Sequence, residues 1–203
     1  MRAALALAAL LLAAQAAAAQ TPPALFAVTG VGAGDKLNVR AAPDAKAEVV
    51  GTLAPDATGV EVVGRDAGGE WGRINIGETS GWVALSHLAA GPDPWAEGAL
   101  PDGLRCFGTE PFWSIWPEDK ALRYSPADGA GKVLGLTAVL EGVPRPASRA
   151  LVARGKVAGI TAFVSPRECS DGMSDRVFGL GIDAVLEDGG APRLLTGCCS
   201  IAP

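Results

Sequence analysis

Between Leu37 and Leu88 the chain is cut into short apolar runs by Gly, Pro and Asp, and no 3.6-residue period survives across them. The runs are Leu37-Asn38-Val39-Arg40, Val49-Val50-Gly51-Thr52-Leu53, Gly59-Val60-Glu61-Val62-Val63, Glu70-Trp71-Gly72-Arg73-Ile74 and Gly81-Trp82-Val83, with Pro43 following the first. Val60 and Val62 flank Glu61, and Gly72, Ile74 and Ile76 alternate with Arg73 and Asn75, which is the two-residue period of half-buried strands. Pro55-Asp56, Asp66-Ala67-Gly68-Gly69 and Gly77-Glu78 supply the turns. Residues 25–90 therefore read as one small β-barrel, of a size at which a single core is only marginally stable alone.

The same period continues after residue 104. Phe178, Leu180, Ile182, Ala184 and Leu186 fall on one face of a strand and Gly179, Gly181 and Asp183 on the other, while Ile160, Ala162 and Val164 repeat the pattern. Asp188-Gly189-Gly190 turns the chain into Arg193-Leu194-Leu195. Between the two regions, residues 91–103 are dense in Pro and Gly and show neither period, so they read as a connector. The expected fold class is all-β: a first barrel at 25–90, the connector, and a second β-rich domain at 104–203, with little helix.

Arg2, the apolar run Ala3–Leu12 and the alanine-rich stretch that follows have the order of a secretory leader at 1–19, with Ala17 and Ala19 as the small residues before the cut and Gln20 after it. The apolar core is shorter than the roughly 20 residues a spanning helix needs, so stable membrane insertion after cleavage is not expected. No cysteine lies at the cut to carry a lipid. Without the leader the charge balance is 16 basic against 22 acidic residues, and the halves before and after Ala90 are each net negative. Neither offers the basic face that a phosphate backbone requires, which excludes nucleic acid as a partner class.

All four cysteines, Cys106, Cys169, Cys198 and Cys199, lie in the last hundred residues. An even count in an exported chain reads as two disulfides. Adjacent residues on a strand point to opposite faces, so Cys198 and Cys199 are expected to find different partners, one taking Cys106 and the other Cys169. Which takes which is left open by the sequence.

The landmarks from Leu37 to Leu88 resemble the bacterial SH3-like domain. That resemblance implies a non-catalytic adaptor of the cell envelope that grips peptidoglycan or a protein, in a periplasmic or secreted Gram-negative setting. It draws attention to Trp71 and Trp82, which either pack in the barrel or line a groove where a peptide or sugar stacks, and to Arg40, which either meets a carboxylate or is solvated. In the second domain, Cys106-Phe107-Gly108-Thr109-Glu110-Pro111-Phe112-Trp113, Cys169-Ser170-Asp171-Gly172-Met173-Ser174-Asp175 and Gly197-Cys198-Cys199 resemble a group of Gram-negative envelope proteins and lipoproteins, similar in outline to lysozyme-inhibitor-like barrels. Glu110, Trp113, Asp171 and Asp175 are the binding candidates there. The three acids either crowd one end of the barrel or accept backbone N–H bonds in their own turns.

Catalysis finds little support in the residue inventory. His87 is the single histidine, and no Ser-x-x-Lys, Gly-x-Ser-x-Gly, His-Glu-x-x-His or Gly-rich phosphate loop occurs. Two adjacent cysteines do not face one metal ion readily. The expectation is a cofactor-free, metal-free binding protein, with two alternatives: an acidic inhibitor steered to a basic lytic wall enzyme, and a carboxylate-based hydrolase.

Overall fold

The computed structural model describes residues 23–95, 98–144 and 147–202, so the leader expected at 1–19 lies outside the described residues. The described chain is all-β, and its one helical element is a single 3-10 turn at Leu85–His87. In the first half the strands are β1 (Ala24–Val28), β2 (Leu37–Arg40), β3 (Val49–Leu53), β4 (Val60–Val62), β5 (Gly64–Arg65), β6 (Trp71–Ile76), β7 (Thr79–Ala84) and β8 (Leu88–Ala90). They form two sheets, β4-β1-β8 and β3-β2-β7-β6-β5. The residues that alternate inward in sequence, Val39, Val62, Ile74 and Val83, make the core between the sheets with Phe26 and Leu37.

The second half is an antiparallel meander that closes on itself. Its strands are β9 (Arg105–Thr109), β10 (Phe112–Glu118), β11 (Ala121–Pro126), β12 (Lys132–Glu141), β13 (Arg149–Arg154), β14 (Gly159–Cys169), β15 (Phe178–Glu187) and β16 (Arg193–Ser200). Each pairs with the next, and β16 returns to pair with β9, giving an eight-stranded closed barrel. Closure removes both sheet edges, and eight strands enclose a space that side chains fill. Ile160, Ala162, Val164, Leu180, Ile182 and Leu186 all point into it, as their alternation predicts. The turn at Asp188-Gly189-Gly190 is made possible by Gly189, whose φ of 94° suits glycine.

The connector is irregular, yet it belongs to the barrel's core. Trp95 is 8% exposed and packs in the same cluster as Leu104 and Ile201. The Trp95 indole N–H donates to the Pro23 carbonyl at 3.1 Å. The buried Arg149 guanidinium donates to the Trp95 and Ala99 carbonyls and lies 5.6 Å from the Trp95 ring centroid. A buried guanidinium needs such acceptors, because desolvating it without them is costly.

The two barrels meet along a seam. The Asn75 side chain makes a reciprocal pair with the Val177 backbone, donating to its carbonyl at 2.9 Å and accepting from its amide at 3.0 Å. The Asp175 amide donates to the Glu78 carbonyl, and Thr79 bridges to Asp175. Glu61 accepts from the Ser200 hydroxyl and from the Ile201 amide at 3.1 Å. At Gly179 a Cβ would stand 2.8 Å from the Val63 carbonyl oxygen, so the absence of a side chain there is what lets the first barrel lie directly on β15.

Candidate functional site

Both strand parity and register put the aromatic and basic side chains of the first barrel on one outer face. Trp71 and Arg73 alternate with the buried Gly72 and Ile74 on β6, and Trp82 alternates with the buried Gly81 and Val83 on β7. Trp82 pairs across the sheet with Arg40 on one side and Arg73 on the other. Arg40, Trp82 and Arg73 thus stand in one cross-strand row, where neighbouring side chains lie close enough to act together. The Arg73 guanidinium sits 5.8 Å from the Trp82 ring centroid. It also donates to the Ser80 hydroxyl and reaches Glu168 of the second barrel at 3.4 Å.

Both tryptophans are half-buried on this face, not part of the core. The remaining local contacts hold the face in place. Arg40 donates to the Ala47 carbonyl at 2.8 Å, and Trp71 borders a shallow groove of about 300 Å3 with Arg40 and His87. The Trp71 amide donates to Asp66 at 2.7 Å, and that bond, with others from the same turn, holds the Asp66 carboxyl below its ordinary value against the opposing effect of desolvation. The five strands of this sheet carry Arg40, Arg65 and Arg73 and no acidic residue. The negative charge of the first half therefore resides outside this sheet. Arg73 was legible as an outward residue from its alternation with Ile74, but only the register shows it beside Trp82.

In the second barrel the candidate residues separate. Trp113 is 4% exposed, a core residue packed beneath Gly108 and Gly197. Glu110 is exposed at the turn between β9 and β10. It borders a groove of about 320 Å3 together with Asp171, Gly197 and Cys198. Asp171 is committed to its own turn: its carboxylate accepts from the Met173 and Ser174 amides at 3.0 and 2.9 Å and from the Ser174 hydroxyl. Desolvation pushes this carboxyl up, but the amide and hydroxyl bonds and the nearby Arg176 charge outweigh it and leave it below the usual value. Asp175 turns away and joins the seam. Of the two arrangements open to the three acids, Asp171 takes the turn-acceptor one, and it shares a groove with Glu110 alone.

The sulfur chemistry is closed. Cys106 bonds Cys199, directly opposite it in the β9–β16 pair that completes the barrel, and Cys169 bonds Cys198 on the outside, joining β14 to β16 across β15. The neighbours do face opposite ways and do take different partners. Two disulfides fit an oxidising, extracytoplasmic compartment. Among the described residues no group of three or more His, Cys, Asp or Glu side chains is placed to hold a metal ion, and no helix is long and apolar enough to cross a membrane.

Sequence reasoning missed Arg176, whose guanidinium lies over the Phe178 ring at 5.6 Å and between Glu78 and Asp171 at 3.8 and 3.9 Å. It borders a groove of about 470 Å3 with the exposed Phe112 and Met173. It also missed Glu61, whose carboxyl is pushed up by desolvation at the seam despite bonds from Ser200, Ile201 and Ala202.

Searches of curated proteins and of solved structures find no match to the chain. The resemblance read from the cysteine-containing motifs of the second barrel accordingly rests on those residues alone. A family model matches the first barrel from just before β2 into β8: residues 35–89 fit the bacterial SH3 domain, and this part of the chain is an SH3-like domain.

Proposed function

We propose that the protein is a non-catalytic binding protein of the periplasm, which docks on peptidoglycan or on an envelope protein through the outer face of the five-stranded sheet. The observation that carries this reading is the row Arg40–Trp82–Arg73, an aromatic ring between two cations on a sheet that has no acid. Such a row suits a ligand that offers an apolar or sugar face beside a carboxylate, because the ring supplies contact area and Arg40, which donates one nitrogen to the Ala47 carbonyl, brings a guanidinium beside it, while Arg73 is held against the ring by Ser80 and Glu168. The net negative charge of the domain argues less against a wall ligand once the arginines are seen to be gathered on one face. Catalysis is left out of this reading because the bonds from Met173 and Ser174 hold Asp171 ionised, which unsuits it to serve as a general acid beside Glu110.

The test is retention on purified sacculi. The protein should sediment with them, and Trp82→Ala or Arg73→Ala should raise the apparent Kd about tenfold, as expected for loss of a principal contact worth about 1.4 kcal/mol. Unchanged retention of both variants would remove this face from the reading, and no retention of the parent protein would leave only the protein-partner version. A second reading, inhibition of a lytic wall enzyme, is favoured by the exposure of Glu110 at the β9–β10 turn. Lysozyme turnover unaffected by excess protein would dispose of it.

A further inference from the structure

The two disulfides differ in what can reach them. Cys106 and Cys199 are 2% and 0% exposed and belong to the packed interior of the second barrel, where a solute meets them only if strands part. Cys169 and Cys198 cross the outside of β15, and both border the groove of about 320 Å3 that Arg167 and Glu110 also line. Cys169 is partly exposed, whereas Cys198 is buried. Gly181 stands opposite Cys198 on β15, and the Arg167 guanidinium lies in the space that a Cβ there would take. A cation is thus held next to the less exposed sulfur. The chain around this bond reaches the first barrel from both cysteines. Glu168 precedes Cys169 and meets Arg73 at 3.4 Å. The loop 170–177 follows Cys169, with the Asp175 amide donating to the Glu78 carbonyl and Val177 paired with Asn75. Ser200, shortly after Cys198, donates to Glu61. The outer disulfide therefore joins two segments that both carry seam contacts.

We propose that the Cys169–Cys198 bond is a redox latch on the seam, opened by a dithiol while Cys106–Cys199 stays closed. A thiolate of the dithiol enters the groove and attacks the Cys169 sulfur. The Cys169–Cys198 bond breaks as a mixed disulfide forms on Cys169, and the electron pair leaves on the Cys198 sulfur, where Arg167 faces the new charge until a proton arrives. The second thiolate of the dithiol then attacks the dithiol's own sulfur in the mixed disulfide and releases Cys169, which is protonated in turn. Two electrons and two protons have passed to the cysteines, and the dithiol has become a disulfide. Opening removes the covalent hold at the start of the 170–177 loop, so the Asp175 and Val177 bonds to the first barrel break more often, while the barrel keeps its inner disulfide and its closed ladder.

Timed reduction of the folded protein tests this. Glu110 and Asp171 also line the groove, so the probe is dithiothreitol, a dithiol without carboxylates. Samples are quenched with iodoacetamide, and the labelled cysteines are located by mass spectrometry. Label should appear on Cys169 and Cys198 at least about tenfold faster than on Cys106 and Cys199, because reactivity follows access. In the protein reduced at the outer bond alone and not alkylated, amide exchange at Asp175 and Val177 should speed about tenfold, while exchange at Ile182, in the middle of β15, stays at the oxidised rate. Removing the dithiol in air should restore the slow exchange, which a bond that serves only to complete folding would not show. Label on all four cysteines at one rate, no label until denaturant is added, or unchanged exchange at Asp175 and Val177 once the outer bond is open would each overturn the proposal.

Discussion

Glu61 and Asp171 carry the same functional group, and their surroundings move it in opposite directions. Glu61 sits in the seam, where desolvation dominates and raises it above 4.5, its ordinary value. Asp171 is also desolvated, but it gathers two amides and a hydroxyl and falls below 3.8. The consequences for stability follow from linkage. A lowered carboxyl stabilises the fold above its unfolded value and loses that contribution as pH falls through the folded value. A raised one stabilises the fold in acid and loses the contribution as pH rises through its folded value. Asp171→Ala should cost about 1–3 kcal/mol at neutral pH, since it strips the acceptor from the Met173 and Ser174 amides, and the deficit should shrink as the pH drops below about 4, near the unfolded value. Glu61→Gln keeps an acceptor for the Ile201 amide and removes the charge. Its melting temperature at neutral pH should match or exceed the parent's, and the two should converge in acid. A Glu61→Gln protein that melts well below the parent at neutral pH would refute the desolvation account.

At the scale of elements, the disulfide between β14 and β16 holds down the 170–177 loop, which lies on the barrel wall through the bond from the Thr109 hydroxyl to the Asp171 carbonyl. Its cysteines are 29 residues apart, which on the chain-entropy model is worth about 3.6 kcal/mol. Cys169→Ser with Cys198→Ser should lower stability by about that amount and speed amide exchange at Val177, whose partner Asn75 lies across the seam; exchange there at the parent rate would show that the loop is held without sulfur. Strand identity, inward faces and the separate partnering of Cys198 and Cys199 were readable because each depends on a local period of two. The pairing of Cys199 with Cys106 was not, because it depends on β16 meeting β9, a contact between the first and last strands of the barrel that no local pattern encodes. Trp95 was hidden for a related reason: it lies in a Pro/Gly-rich stretch without period, and only the end of a closed barrel gives it a place to be buried. The outward direction of Trp71 and Trp82 could have been found, since each alternates with residues that had to face the core.

For the molecule as a whole, the seam decides whether the chain behaves as two small barrels or as one body. A barrel the size of the first is marginal alone, and here it gains the Asn75–Val177 pair, the Glu61 bonds and the packing of Val63 on Gly179. Those contacts should couple the two unfolding reactions, so that calorimetry shows one transition whose calorimetric and van't Hoff enthalpies agree. Gly179→Val separates this coupling from the stability of the second barrel itself. Valine favours strands, and Gly179 does not adopt the left-handed backbone that would oppose it. Its Cβ, however, would lie 2.8 Å from the Val63 carbonyl, closer than nonbonded carbon and oxygen tolerate, so the strain falls on the seam. The expected outcome is two resolved transitions, the first barrel melting at the lower temperature, with Asn75→Ala producing the same split in milder form. A single transition that persists in Gly179→Val would mean that the barrels are coupled through the Trp95 connector instead.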